Sequence, residues 1–382
     1  MSMENATTRR HCVLCVVGAR PNFMKIMPLM RAFAARAPNV IVKLVHTGQH
    51  YDVEMNASFF GQLGIPAPDV SLEVGSGSHA VQTAEIMKRF ELVVDDHAPD
   101  AVLVVGDVNS TIACSLVAAK KGVRVIHVEA GLRSRDRSMP EEINRILTDQ
   151  LSDRLYITED EAFDNLLAEG IASERIVHAG NVMIDTLLAC RNNAVPAVDT
   201  LRRVLGNAAE GWVEHGYGVL TLHRPSNVDE PESLRQLLTA IARMSERLPI
   251  VFPMHPRTRA RIDEFGLGGM FEQSRVAVLG PQGYLEMLGL LDGARLVLTD
   301  SGGLQEESTA IGLPCLTLRE NTERPVTIRE GTNSLVGTDA AAIEAAFGDA
   351  LSRGRCVERR PRNWDGHAAE RIVDDLVAWL ER

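Results

Sequence analysis

Residues 294–308 read ARLVLTDSGGLQEES. An apolar run of strand length ends in a polar Thr-Asp-Ser, two glycines follow, and the segment beyond opens as a helix. The switch from strand-like to helix-like patterning at a glycine turn is one half of a βαβ unit. Glycines let backbone N–H groups approach an anion, and a helix start adds a partial positive charge, so Ser301, Gly302 and Gly303 form a candidate phosphate cradle. The adjacent acids Glu306 and Glu307 need a second explanation. An acid aimed inward would clash with a phosphate, whereas one lying beside it can accept hydrogen bonds from ribose hydroxyls. A nucleoside diphosphate therefore suits this stretch better than bare phosphate.

The same unit repeats along the chain. Strand candidates CVLCVVG (12–18), IVKLVHT (41–47), AVLVVGD (101–107), RVIHVEA (124–130) and RLYITE (154–159) alternate with helical periodicity in the first half. After the polar-flanked RNNAVPAVD (191–199) a second series follows: YGVLTLH (217–223), PIVFPMH (249–255), RVAVLG (275–280), RLVLTD (295–300) and PCLTLR (314–319). Strands alternating with helices indicate parallel sheets. The expectation is two doubly wound α/β domains facing across a cleft, at 1–190 and 200–365 with 191–199 as linker. The amphipathic segment at 366–382 is expected to close the second domain or to pack back on the first.

Composition narrows the function. The 382 residues carry a formal net charge of −11, with 45% hydrophobic and 24% charged residues. That balance argues against a broad nucleic-acid or anionic-membrane surface, so any phosphate is bound by a few convergent donors. The N-terminus lacks a signal-peptide pattern, and no run approaches the ~18 apolar residues of a membrane span. A cytoplasmic protein with reduced thiols is expected. Among the six cysteines, Cys12 and Cys15 form a CxxC. Both lie in a strand candidate and face opposite sides, with no second pair at metal spacing, so no metal site is expected.

Ligands of open parallel sheets bind beyond the carboxyl ends of strands. There the sequence places Arg20 and Lys25, then Asp107, then Glu129 and Arg133, then His223 and Arg224, and finally His255 and Asp300. Taken singly, each has a plain structural reading: Asp107 as a helix cap, His255 as a turn or core histidine, Arg20 as an ion-pair partner. Charged groups recurring at strand ends in both halves are harder to dismiss, because uncharged turns would serve structure alone. Pro140, Glu141 and Glu142 read as a helix first turn, with Arg145 one turn after Glu141. No GxGxxG opens the first strand and no GxxxxGK[ST] occurs, so neither dinucleotide nor P-loop binding is supported.

In order, GARPNFMK (18–25), TGQH (47–50), GDVNST (106–111), HVEAGLR (127–133), MPEEINR (139–145), GN-x-x-ID (180–185), LHRPSN (222–227) and TDSGGLQEES (299–308) resemble the UDP-N-acetylglucosamine 2-epimerases over about residues 12–370. The resemblance implies a GT-B fold, a homodimer, a UDP-sugar substrate and no cofactor. It implies inversion at C2 by anti elimination of UDP, giving a 2-acetamidoglucal, and re-addition with the proton returned to the other face. Asp107, Glu129 and Glu141 look like the catalytic carboxylates, without a sequence basis for choosing base from acid. His223 joins that set and, with Arg20, looks like a holder of the leaving phosphates. Lys25 and Arg145 fall at other active-site positions. Ser301, Gly302 and Gly303 look like diphosphate contacts, Glu307 like the ribose acid, and PQGY (281–284), with Gln282, like the uracil pocket.

The chain also departs from the pattern. Asp52 stands where members regulated by a second UDP-N-acetylglucosamine carry a glutamine, and SLEVGSGSH (71–79) lacks an expected arginine. Met287 replaces an aromatic near the uracil pocket. Within the resemblance, a hydrolysing enzyme releasing N-acetylmannosamine and a 2-epimerase of a UDP-2,3-diacetamido uronic acid remain open, the latter with Arg135 and Arg137 as candidate carboxylate partners. A GT-B glycosyltransferase and a non-catalytic UDP-sugar binder are more distant rivals.

Overall fold

The computed structural model describes residues 10–48, 66–357 and 359–382, without the side chains of Arg20 and Pro21. Gln49 and Asp52 lie outside the described residues, as does the Arg20 side chain. The chain divides into two compact units, Met1–Thr186 with Arg362–Arg382, and Leu187–Pro361. The division falls inside the helix Val182–Arg191, ahead of the irregular stretch at 192–196.

The first unit holds a seven-stranded sheet in the order β3-β2-β1-β4-β5-β6-β7. Its strands are β1 (Cys12–Val17), β2 (Ile41–His46), β3 (Val70–Ser71), β4 (Ala101–Val105), β5 (Arg124–Ala130), β6 (Arg154–Ile157) and β7 (Ile176–His178), each pair parallel. Helices cover both faces, so β4 is buried along its whole length and its sequence, AVLVV, is uninterrupted apolar residues rather than an alternation. Cys15 is buried, Cys12 half-buried, and both are free thiols.

The helix Ala368–Leu380 belongs to this unit and is fastened at both ends. Asp185 accepts the Ala368 and Ala369 N–H groups at 3.1 and 2.7 Å, capping the helix start. Asp375 takes Arg154 Nε at 2.9 Å and the Tyr156 hydroxyl at 2.8 Å. The fully buried Trp364 donates to Thr158 O across 2.9 Å just ahead of it.

The second unit holds six parallel strands in the order β10-β9-β8-β11-β12-β13: β8 (Gly218–Thr221), β9 (Ile250–Pro253), β10 (Val276–Leu279), β11 (Leu296–Thr299), β12 (Cys315–Thr317) and β13 (Asn333–Leu335). Leu237, Leu238 and Ile241 of the helix Pro231–Arg247 pack with Phe252, Leu298 and Phe347 to form its core. His255 caps the helix Pro256–Glu264, its Nδ1 accepting Arg257 N–H at 3.1 Å, which is the turn role the sequence allows.

In both sheets the order reverses beside the first strand, between β1 and β4 and between β8 and β11. At such switch points the flanking loops leave in opposite directions and open a crevice. Arg20, Lys25 and Asp107 follow the strands at the first switch point, and His223, Asp300 and Ser301 at the second.

Candidate active site

At the first switch point, Asn22 ties the two loops together. Its Oδ1 accepts Ala19 N–H at 3.0 Å, and its Nδ2 donates to Val105 O, the end of β4, at 2.9 Å. Lys25, one turn further along the helix Arg20–Arg36, is buried and forms an ion pair with Glu129. Gly106 has φ +67°, and a Cβ there would stand 2.8 Å from Lys25 Nζ, so glycine makes room for the lysine.

Glu129 is a non-glycine residue at φ +73°, next to a register shift between Val128 and Ala130 in the pairing of β5 with β6. Such a conformation costs on the order of 1–3 kcal/mol and persists only where the surroundings over-determine it. The shift turns the Glu129 side chain to Lys25 at the sheet's carboxyl end.

Asp107 is partly exposed beyond β4 and pairs with the buried Arg145, Nη1 to Oδ2, at 2.6 Å. Asn144 holds the Asp107 carbonyl at 2.9 Å. Arg145 comes from the helix Pro140–Leu151, and its acidic partner there is Glu142, not Glu141. Glu142 is buried and accepts Ser134 N–H at 2.9 Å, Arg135 N–H at 2.8 Å and Arg145 Nη2 at 2.9 Å. Burial disfavours its charge, but the two backbone donors and Arg145 outweigh that and hold the carboxyl below its usual range. Glu141, on the neighbouring face, is half-exposed and makes no ion pair among the described residues.

The second unit carries a different set. Ser301 stands at the N-cap position of the helix Gly302–Ala310 without a side-chain cap bond, and the first turn holds no acid. A Cβ on Gly302 would lie 2.5 Å from Glu323 Oε1, whereas Gly303 faces open space. Glu323 is buried; Arg324 and Arg319 overcome its desolvation and hold it down at about 2. Asp300, fully buried, orders the loop after β8: it accepts His223 N–H and Arg224 N–H, both at 2.9 Å, and its Oδ1 lies 2.8 Å from His223 Nδ1. His223 thereby keeps a fixed ring while remaining about one-third exposed.

The paired acids of the opening stretch separate cleanly. Glu306 is neutralised by Arg324 Nε at 2.8 Å. Glu307 has no ion-pair partner among the described residues: burial first, and the Glu306 charge second, push it up to about 8, against a contact from Tyr284. Gln282 donates to Gly280 O at 2.8 Å, bracing the loop before the helix Tyr284–Gly293.

Thus Lys25 meets Glu129, Arg145 meets Asp107, and His223, Ser301 and Gly302 follow the strands at the second switch point, with Glu307 further along the helix Gly302–Ala310. The sequence offers Asn22, His127 and Asp149 no site role and reads Glu142 only as part of a helix first turn. Their signal was a polar residue where the pattern demands an apolar one, such as His127 inside RVIHVEA. Among the described residues, no group of three or more His, Cys, Asp or Glu is placed to hold a metal.

Comparison with known proteins finds relatives along nearly the whole chain. The family described as UDP-N-acetylglucosamine 2-epimerase matches residues 33–377. A UDP-N-acetylglucosamine 2-epimerase of Methanocaldococcus jannaschii is 40% identical over 370 residues, covering 95% of this chain and 98% of that protein. A UDP-2,3-diacetamido-2,3-dideoxy-D-glucuronate 2-epimerase of Pseudomonas aeruginosa is 42% identical over 371 residues, covering 96% and 99%. The crystal structure of the M. jannaschii enzyme in complex with UDP-GlcNAc and UDP superposes with a TM-score of 0.82 at 38% identity, covering 96% of this chain and 99% of that one. With its GT-B-like pair of parallel sheets, the chain belongs to the UDP-N-acetylglucosamine 2-epimerase family and is an isomerase of that kind.

Proposed function

We propose that this protein interconverts UDP-GlcNAc and UDP-ManNAc. The observation that carries the reading is that two carboxylates, each with its own cation, stand at the ends of adjacent strands: Asp107 with Arg145 after β4, Glu129 with Lys25 on β5. The C2 proton of the sugar is not acidic, so direct abstraction is slow. Anti elimination avoids a carbanion: one carboxylate takes the C2 proton, the C–H electrons form the C1–C2 double bond, and UDP departs with the C1–O pair. Re-addition of UDP, with a proton delivered to the opposite face of C2, gives the epimer. Acid–base work on two faces needs two such groups, with Glu141 as a third candidate in the half-exposed first turn of its helix. The nucleotide half falls to the second unit, with His223 at the departing diphosphate, Ser301, Gly302 and Gly303 at the helix start, Glu307 at the ribose and Gln282 beside the uracil, while Arg20 of the first unit keeps the phosphate role that the resemblance implies.

Incubation with UDP-GlcNAc in deuterated water, followed by NMR, tests this. Deuterium at C2 of both UDP-sugars is the expected result. Free N-acetylmannosamine would mean a hydrolysing enzyme, and an unchanged spectrum would overturn the reading.

A second reading has its own support. Arg135 and Arg137 line a cavity of about 520 Å³ beside Arg133, and the P. aeruginosa relative acts, by its name, on a uronate. Faster turnover of a UDP-diacetamido uronic acid than of UDP-GlcNAc would favour it. A homodimer and a cytoplasmic location are further parts of the proposal. Ile143 and Leu147, exposed one turn apart, supply apolar surface for a partner copy, and no described helix is long and apolar enough to cross a membrane. Light scattering on the purified protein tests the dimer.

A further inference from the structure

The fully buried His127 and Asp149 touch none of the groups assigned to substrate, yet they hold the backbone on both sides of Glu129 and immediately before Asp107. His127 lies in the middle of β5. Its Nδ1 stands 2.6 Å from Asp149 Oδ1 and its Nε2 2.9 Å from Gly106 O. Both ring nitrogens face oxygen atoms, so neither is left without a partner. Asp149, from the helix Pro140–Leu151, uses its second oxygen for Gly131 N–H at 3.1 Å and Arg133 Nη2 at 2.7 Å. Arg133 is anchored in turn by two bonds to Glu169, at 2.8 and 2.6 Å.

The register of these contacts is the point. Gly106 immediately precedes Asp107. His127 lies two residues before Glu129, and Gly131 two residues after it. Glu129 holds a left-handed conformation that an unconstrained chain would leave, and one side-chain pair clamps its flanks while fixing the neighbouring strand end. Every buried donor and acceptor of the pair is used, which makes the arrangement rigid rather than adaptable. We propose that His127 and Asp149 are positioning residues for catalysis, setting Glu129 and Asp107 relative to each other. This rests on the assignment of those two carboxylates to the proton transfers.

The test uses full-length Asp149→Asn and His127→Gln with UDP-GlcNAc in deuterated water. Asparagine cannot accept from His127, Arg133 and Gly131 together, because one end of its amide is a donor. Misplacement of a catalytic group by about 1 Å costs on the order of 100-fold. The expected result is therefore a fall in kcat of about 10- to 100-fold, with KM and the Kd for UDP little changed. The ratio of deuterium in recovered substrate to deuterium in epimer should also change, because the two carboxylates act on opposite faces. A merely structural role would lower both products in proportion and leave that ratio at its wild-type value, which would overturn the proposal. Wild-type kcat in either folded variant would overturn it too. If one variant fails to fold, the other decides; if both fail, the pair is a folding determinant and the proposal is overturned. Absence of exchange in the wild-type protein would instead sink the functional reading on which the proposal rests.

Discussion

Arg145 joins two acids that the sequence keeps far apart: its Nη1 lies 2.6 Å from Asp107 Oδ2, while its Nη2 lies 2.9 Å from Glu142 Oε2. Glu142 also collects the Ser134 and Arg135 N–H groups, so one buried guanidinium fixes the Asp107 side chain to the loop at 131–139. Removing it leaves a buried carboxylate with only neutral donors. Arg145→Ala should destabilise the protein by about 3 kcal/mol, the lower end for breaking a buried pair. Epimerisation should fall with it. Arg145→Lys should recover part of the stability, since lysine supplies charge without the planar fork. Urea unfolding beside deuterium exchange checks both.

Glu307 predicts a proton release. Its carboxyl, pushed up to about 8 by burial and by Glu306, is mostly protonated at pH 7 in the free protein, against 4.5 as the ordinary value. Ribose hydroxyls donating to it would favour the charged form, so UDP binding near pH 7 should release a proton. Calorimetry in buffers of different ionisation enthalpy reads this directly. Uptake, or no proton change, would remove Glu307 from the ribose.

The same shift has a stability consequence. A carboxyl whose folded pKa is raised contributes no penalty below the unfolded value. Between 4.5 and about 8 the unfolded chain ionises first, so stability is lost progressively as pH rises through that window. Glu307→Gln should raise the Tm of the unliganded protein at pH 8 more than at pH 5. Parallel Tm profiles for the two proteins would contradict the assignment.

Asp300 behaves with the opposite sign. Burial disfavours its charge, but the His223 side chain and the His223 and Arg224 N–H groups prevail, and its carboxyl is held below the usual range. Its contribution is present above the unfolded pKa and is lost as pH falls through the folded one. Asp300→Asn strands these donors and should cost about 2–3 kcal/mol. It should also weaken UDP binding by freeing the His223 ring. Unfolding curves and a UDP titration on one preparation separate the two effects.

Gly302→Ala places a methyl where Glu323 Oε1 now lies, 2.5 Å from the Cβ position. Because the obstacle is a side-chain end rather than backbone, the fold should survive. The helix start should lose access to phosphate, with UDP affinity falling roughly tenfold, or about 1.4 kcal/mol. Gly303→Ala, facing open space, is the matched control. Equal losses in both would point away from the helix start as the phosphate site.

Strand-length apolar runs ending in polar residues are enough to mark ten of the thirteen strands among the described residues, because a sheet covered on both faces has no polar alternation to blur its sequence. The short β3, β7 and β13 lack such runs and exist through pairing with an already formed neighbour. The sequence also supplied the carboxylates, cations and glycines, since those residue types at strand ends have few purely structural uses. What only the tertiary structure decided was partnership. Glu141 and Glu142 are indistinguishable as neighbours in a helix first turn, and so are Glu306 and Glu307. A rotation of about 100° per residue sends Glu142 to Arg145 one turn along its own helix and Glu306 to Arg324 of a later segment, and leaves Glu141 and Glu307 without an ion pair among the described residues. Strand order, likewise, is set by which faces bury one another, and it alone brings His127 between Gly106 and Asp149.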